Sequence, residues 1–237
     1  MADTNPYKAE YRSAGGGEPL RRNSEQLRIT EIFYSLQGEA RTVGIPTVFV
    51  RLTGCPLRCV YCDTAYAFNG GEMQTIGQVL SRINSYKPRY VTVTGGEPLA
   101  QKNCLSLLTQ LCDVGYEVSL ETGGAMTLIG VDARVVKVLD LKTPASGEMN
   151  KNDYDNIPLL QPHDQVKFVI CDRADYEWAR FKLDEFSLAD RVSDVLFSPS
   201  HAELDGRDLA AWILQDNLQV RLQLQLHKVL WNDEPGR

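Results

Sequence analysis

From Ile29 onward, short runs of β-branched and aromatic residues alternate with longer stretches whose apolar positions recur at helical spacing. The runs are TVFVRL (47–52), YVTVT (90–94), YEVSLET (116–122), VVKVLDL (135–141), QVKFVI (165–170), VLFS (195–198) and VRLQLQL (220–226). Helical spacing covers 75–86, 99–114, 173–187 and 207–216. This order predicts a series of βαβ units and a mostly parallel sheet. No internal repeat interrupts it.

Several strands alternate polar with apolar positions. Arg221, Gln223, Gln225 and His227 interleave with Leu222, Leu224 and Leu226. Lys167 lies opposite Val166 and Phe168, Glu117, Ser119 and Glu121 oppose Val118 and Leu120, and Arg51 opposes Val50 and Leu52. A parallel sheet buried on both faces would show near-continuous apolar runs. Charged rows on separate strands point instead to a sheet curled around a polar lumen, with Lys167 and His227 lining the pocket. Edge strands with one wetted face are the plainer alternative.

The chain has 237 residues, 43% apolar and 24% charged, which suits one globular domain, expected over 27–237. A net charge of -6 gives no basic footprint, so neither nucleic acid nor an anionic membrane is an expected partner. No run approaches the roughly 18 apolar residues of a membrane span, and the opening segment has no apolar signal core. The cytoplasm is the expected compartment. Residues 1–26 balance their charges and carry Gly15 to Gly17, and read as a disordered extension or a cloning remnant.

Six cysteines in a reducing compartment do not suggest a disulfide framework. Cys104 and Cys112 share a helix face with Leu105, Leu108 and Leu111, and Cys171 ends an apolar run, so all three read as small core residues. The other three cluster in TGCPLRCVYCDTAYAF (53–68) as Cys55, Cys59 and Cys62. A structural zinc site needs four ligands, and His163, His201 or His227 could supply the fourth. Three thiolates on a 4Fe-4S cluster would instead leave one iron open for chemistry.

The loop, with Tyr61 just before its last cysteine, resembles that of radical S-adenosylmethionine enzymes. TVTGGEPLAQ (92–101) strengthens this, because a strand ending in Gly95-Gly96-Glu97-Pro98 and opening a helix resembles the GGEP motif of that superfamily. Within it, EIFYSLQGEARTVGIPTVFVRLTGCPLRCVYCDT (31–64), LETGG and QLHK resemble the 7-carboxy-7-deazaguanine synthases, over about Arg28 to Lys228. The resemblance implies an abbreviated, irregular partial βα barrel with a curved, mostly parallel sheet. It also implies conversion of 6-carboxy-5,6,7,8-tetrahydropterin to 7-carboxy-7-deazaguanine with loss of ammonia, on the path to queuosine. The implied cofactors are a 4Fe-4S cluster, S-adenosylmethionine and Mg2+. The implied partners are the small pterin substrate, an electron donor such as flavodoxin or ferredoxin, and a second copy in a homodimer.

Carried over by position, Cys55, Cys59 and Cys62 match the cluster ligands and Thr64 the magnesium ligand. Leu36, Gln37, Gly38, Arg51 and Thr94 match substrate contacts. Tyr61, Asp63, Gly96, Glu97, the stretch Asp140, Leu141 and Lys142, and the stretch Ser198, Pro199, Ser200 and His201 match S-adenosylmethionine contacts. Glu121, at a strand end, is expected to accept from the ribose hydroxyls of that cofactor. Ala40 stands where the family often has Gly, Gly123 where it has Ser or Asn, and the tail VLWNDEPGR differs from family tails, so no site is assigned after Lys228. A glycyl-radical activating enzyme shares the cysteine spacing but acts on a protein and gives no reason for SLQGE. A non-catalytic zinc module is the rival from another class.

Overall fold

The computed structural model describes residues 25–201, 203–232, 234 and 236. The expected amino-terminal extension therefore lies outside the described residues except for its last two, and Gln26 already opens the first strand. The chain runs β1 (Gln26–Leu36), β2 (Pro46–Leu52), β3 (Glu72–Thr75), α1 (Ile76–Ser85), β4 (Tyr90–Gly95), α2 (Cys104–Val114), β5 (Glu117–Thr122) and β6 (Val136–Asp140). It continues through β7 (Gln165–Ile170), α3 (Arg173–Glu185), α4 (Leu188–Arg191), β8 (Asp194–Pro199), α5 (Gly206–Gln215), β9 (Arg221–Leu222) and α6 (Leu226–Trp231). One sheet collects the strands in the order β3-β1-β2-β4-β5-β6-β7-β8-β9. β1 pairs antiparallel with β2 and β3, and every other pairing is parallel. The architecture is an α/β partial barrel. Among the described residues no helix is long and apolar enough to cross a membrane.

The helices start and stop where local chemistry tells them to. Thr75 caps α1 through a reciprocal box with Gln78, which satisfies two backbone N–H groups that the first turn leaves unpaired. Asp172 and Asp205 cap α3 and α5 in the same sense. Two apolar clusters pack the helices onto the outer face of the sheet. One joins β1, β2, β4 and β5 to α1 and α2, the other joins β6, β7 and β8 to α3 and α5, and Leu99 and Val131 touch both. Cys104 is wholly buried in the first cluster and Cys112 packs against it, as the helix-face spacing predicts.

Three departures from the sequence reading concern strands. β1 and β3 escape the pattern, since β3 has only four residues and β1 loses its period-two alternation where the register shifts between Ile29 and Glu31. The run 220–226 is not a long alternating strand. Pairing stops after Arg221–Leu222 and the chain turns into α6. Gln223 is then 3% exposed and Leu224 48%, the reverse of the expected faces. Glu117 also leaves the predicted lumen row, because it pairs with Arg89 at the protein surface.

Candidate active site

The inner face of the sheet encloses a pocket of about 670 Å³, and side chains from β1, β2 and β4 to β8 line it. Arg51, Thr94, Glu121, Asp140, Lys167 and Ser198 are the polar row that strand parity brings there. Cys55, Cys59 and Cys62, on the loop after β2, line the same pocket.

Backbone contacts hold that loop against the turn after β4, and side chains brace it from behind, where Arg58 N–H donates to Glu148 Oε1 at 2.7 Å and Arg58 Nη1 to the Cys55 carbonyl at 2.8 Å. Gly96 N–H donates to the Leu52 carbonyl at 3.1 Å and Glu97 N–H to the Gly54 carbonyl at 2.8 Å. A Cβ on Gly96 would lie 2.3 Å from the Gly54 oxygen and 2.7 Å from Cys55 Cβ, so only glycine permits the approach. Burial raises the pKa of Cys55 and pushes that of Cys59 up to about 11. Such thiols stay protonated at neutral pH until a bound cation compensates their charge. Three half-buried thiols on one loop fit a 4Fe-4S cluster. Among the described residues, no three His, Cys, Asp or Glu side chains converge on a single metal ion. His163, one proposed fourth zinc ligand, faces Asp164 outside the pocket.

Beside the thiols lie the positions matched to S-adenosylmethionine. Tyr61 Oη and Asp140 Oδ1 are buried without a hydrogen-bond partner among the described residues, in a pocket both side chains line. Two such atoms on side chains that line one cavity suit a polar cofactor. Lys142 Nζ is 3.0 Å from Asp140 Oδ2 and 6.0 Å from the Tyr61 ring centre. Asp63, Gly96, Ser198, Pro199, Ser200 and His201 line the pocket too.

Two expected contacts do not. Glu97 is wholly buried, and its carboxylate accepts from Leu99 N at 3.1 Å, Gly123 N at 2.7 Å and Thr122 Oγ1 at 2.9 Å. It ties the turn after β4 to the end of β5, with both oxygens accepting hydrogen bonds from within the protein. Leu141 is likewise fully buried, in the apolar cluster under α3.

The other half of the pocket gathers the substrate matches Leu36, Gln37, Gly38, Arg51 and Thr94. Gln37 Nε2 donates to Glu121 Oε1 at 3.3 Å and Thr94 Oγ1 to Glu121 Oε2 at 2.9 Å. Glu121, expected at the cofactor ribose, is thus hydrogen-bonded to two of the substrate matches within the same pocket. Burial and the neighbouring charge of Glu39 raise its pKa. Lys167 joins the halves, with Nζ 2.6 Å from Glu39 Oε2 and 3.4 Å from Asp140 Oδ2. Burial opposes its charge, but those carboxylates outweigh burial and hold its pKa well above the ordinary value.

His227 lines the pocket as expected, though from α6 rather than from a strand face. Its imidazole lies against Gly38, where a Cβ would fall 2.1 Å from Nδ1. Burial lowers its pKa, so the ring is neutral at physiological pH. Thr64 Oγ1 donates to Asp63 Oδ1 at 3.2 Å and faces the pocket beside Cys62. Ala40 holds φ +60°, the left-handed backbone that favours glycine.

Sequence reasoning missed Glu39, Tyr66, Asn232, Glu234 and Gly236, all of which line the pocket. The acid in LQGE was a visible signal for the first. The tail offered none, since its composition is that of any polar terminus.

An open α/β barrel with three thiols at one end of its lumen defines the class, that of radical S-adenosylmethionine enzymes, and the profile of the Radical SAM superfamily matches residues 49–146. Two curated relatives are each named 7-carboxy-7-deazaguanine synthase. That of Koribacter versatilis is 44% identical, covering 88% of this chain and 98% of the relative, and that of Chlorobaculum tepidum is 43% identical, covering 88% and 96%. The chain belongs to the 7-carboxy-7-deazaguanine synthase family. The crystal structure of QueE from Escherichia coli, 22% identical, superposes with a TM-score of 0.72 over 90% of this chain and all of that one. That of Streptococcus suis SuiB bound to precursor peptide SuiA, 15% identical, reaches 0.56 over 75% of this chain and 48% of its own, and these two likenesses concern the fold.

Proposed function

We propose that this protein converts 6-carboxy-5,6,7,8-tetrahydropterin to 7-carboxy-7-deazaguanine with loss of ammonia, as a lyase of queuosine biosynthesis. The observation that carries the reading is one pocket with two chemistries. Its thiol end suits a 4Fe-4S cluster, and its far end presents Arg51, Gln37, Thr94 and Glu121 to a small polar anion. When bound, the cluster and S-adenosylmethionine supply the hydrogen abstraction that starts the reaction.

Cys55, Cys59 and Cys62 would hold the cluster, and Tyr61, Asp63, Gly96, Asp140, Lys142 and Ser198 to His201 would surround the cofactor. Arg51 would take the substrate carboxylate, because a guanidinium fork matches that group. Phe33 and Phe49, stacked with ring centres 4.9 Å apart, form an apolar wall that keeps water from the reacting ring. Lys167 stays charged between Glu39 and Asp140 and balances the lumen acids. The neutral His227 ring can accept or donate a proton at its nitrogens. Thr64 would supply one oxygen to Mg2+, which prefers oxygen ligands and keeps several waters.

The same reading takes its electron from a flavodoxin or ferredoxin, treats the protein as a cytoplasmic homodimer, and holds 27–237 as one domain. Its test is anaerobic incubation of cluster-reconstituted protein with carboxytetrahydropterin, S-adenosylmethionine and a reductant, with product identified by mass and ultraviolet spectrum. Cofactor cleavage without any deazapurine product would overturn the substrate assignment.

A further inference from the structure

The register shift in β1 has a purpose that the pocket makes visible. Ile29 pairs with Leu52 and Glu31 with Arg51, so Thr30 is an extra residue opposite none. Before this bulge, Leu27 and Ile29 point into the core under α1 and α2. After it the parity is inverted, with Ile32 packing on that core and Phe33 stacking on Phe49 in the pocket wall. Strand side chains alternate with a period of two, so without the extra residue position 31 would continue the face of Leu27 and Ile29. A carboxylate would then enter the apolar core. Bulges next to active sites commonly re-aim a side chain in this way.

The re-aimed carboxylate has two partners on one oxygen. Glu31 Oε1 accepts from Arg51 Nε at 2.7 Å and from Tyr66 Oη at 2.8 Å. The Arg51 guanidinium carbon lies 5.8 Å from the Phe33 ring centre and 5.9 Å from that of Tyr66. Its terminal amino groups make no hydrogen bond to described residues, and the side chain lines the pocket. Glu31 itself stands behind Arg51, outside the lining.

We propose that Glu31 and Tyr66 are positioning residues that select a planar carboxylate ligand. Glu31, its carboxylate steadied by Tyr66, engages Nε and leaves the two terminal amino groups of Arg51 as the free edge, an end-on fork whose two parallel donors match a carboxylate. The inference rests on the reading of Arg51 as the substrate's anion contact. It opposes simple electrostatics, by which deleting Glu31 should strengthen binding of any anion.

The experiment is anaerobic titration of the cluster-loaded protein with 6-carboxytetrahydropterin and with a tetrahydropterin lacking the carboxylate, for wild type, Glu31→Ala, Glu31→Gln, Tyr66→Phe and Arg51→Met. Glu31→Ala should weaken the carboxylated ligand on the order of tenfold, the loss of one hydrogen bond to a charged group, and leave the other ligand unchanged. In turnover it should raise KM and hold kcat. Tyr66→Phe should weaken the same ligand by roughly threefold, and Glu31→Gln should retain binding because its amide oxygen still accepts from both partners. Glu31→Ala binding the carboxylate as tightly as wild type or tighter, or losing both ligands equally, would overturn the proposal. If Arg51→Met keeps the preference for the carboxylate, the reading of Arg51 fails and the proposal with it. If Arg51→Met loses that preference and Glu31→Ala keeps it, positioning alone fails.

Discussion

Lys137 Nζ and Asp164 Oδ2 lie 2.8 Å apart, with side chains 3% and 0% exposed, at the amino-terminal ends of β6 and β7. Asp164 also accepts from the backbone of Lys137 at 2.8 Å and of Gln161 at 2.7 Å, so a single carboxylate ties two strands and a turn. Removing it leaves a buried ammonium without a partner. Asp164→Ala should cost about 3–5 kcal/mol, and Asp164→Asn less, because the amide can keep part of the backbone contacts. The urea midpoint at unchanged slope measures this; a loss under about 1 kcal/mol would mean that water reaches Lys137.

The thiols should separate by place. Cys55→Ser, Cys59→Ser and Cys62→Ser should each lose the visible absorbance and the radical chemistry of the reconstituted protein. Cys104→Ala should keep both at a stability cost on the order of 1 kcal/mol, since it deletes only a small core group. Iron content per folded chain checks this, and a folded but iron-free Cys104→Ala would refute it.

Gly96→Ala tests the backbone cradle. The added methyl has no room between Gly54 and Cys55, and relieving the clash moves the cysteine loop at a cost of about 1–3 kcal/mol. The expected result is unchanged circular dichroism with tenfold or weaker cofactor affinity. Wild-type affinity would show that the loop is free to shift.

Thr64→Ala should retain cluster and cofactor cleavage and lose most of the magnesium stimulation, whereas Thr64→Ser should keep much of it, since only the hydroxyl is a ligand. Product formation against magnesium concentration at fixed substrate decides. An unchanged response in the alanine variant removes Thr64 from the metal site.

What the sequence revealed depended on the range of the interaction. Lys167 was legible because a strand alternates strictly and its neighbours Val166 and Phe168 are apolar. The same rule misled at 220–226, where Gln223 is buried and α6 begins three residues later, because Gln and Leu suit either element and docking decided. Glu97 misled for a different reason. Motif position gives the backbone path, but the hydrogen bonds that Thr122 and Gly123 donate to its carboxylate come from another strand. Glu31 could not be placed at all, since one extra residue at Thr30 reverses every later face.

Gln225 Nε2 and Glu39 Oε1 meet at 2.7 Å across 186 residues of chain. Loop-closure entropy grows with the chain between two contacts, and contacts remote in sequence slow folding. The parallel strands can add one after another through their crossover helices, but the wall above Glu39 needs the first strand and the last helix together. The pocket therefore closes only when both ends of the described chain have docked, because Gln225 and Lys228 also reach the metal-binding loop at Asp63.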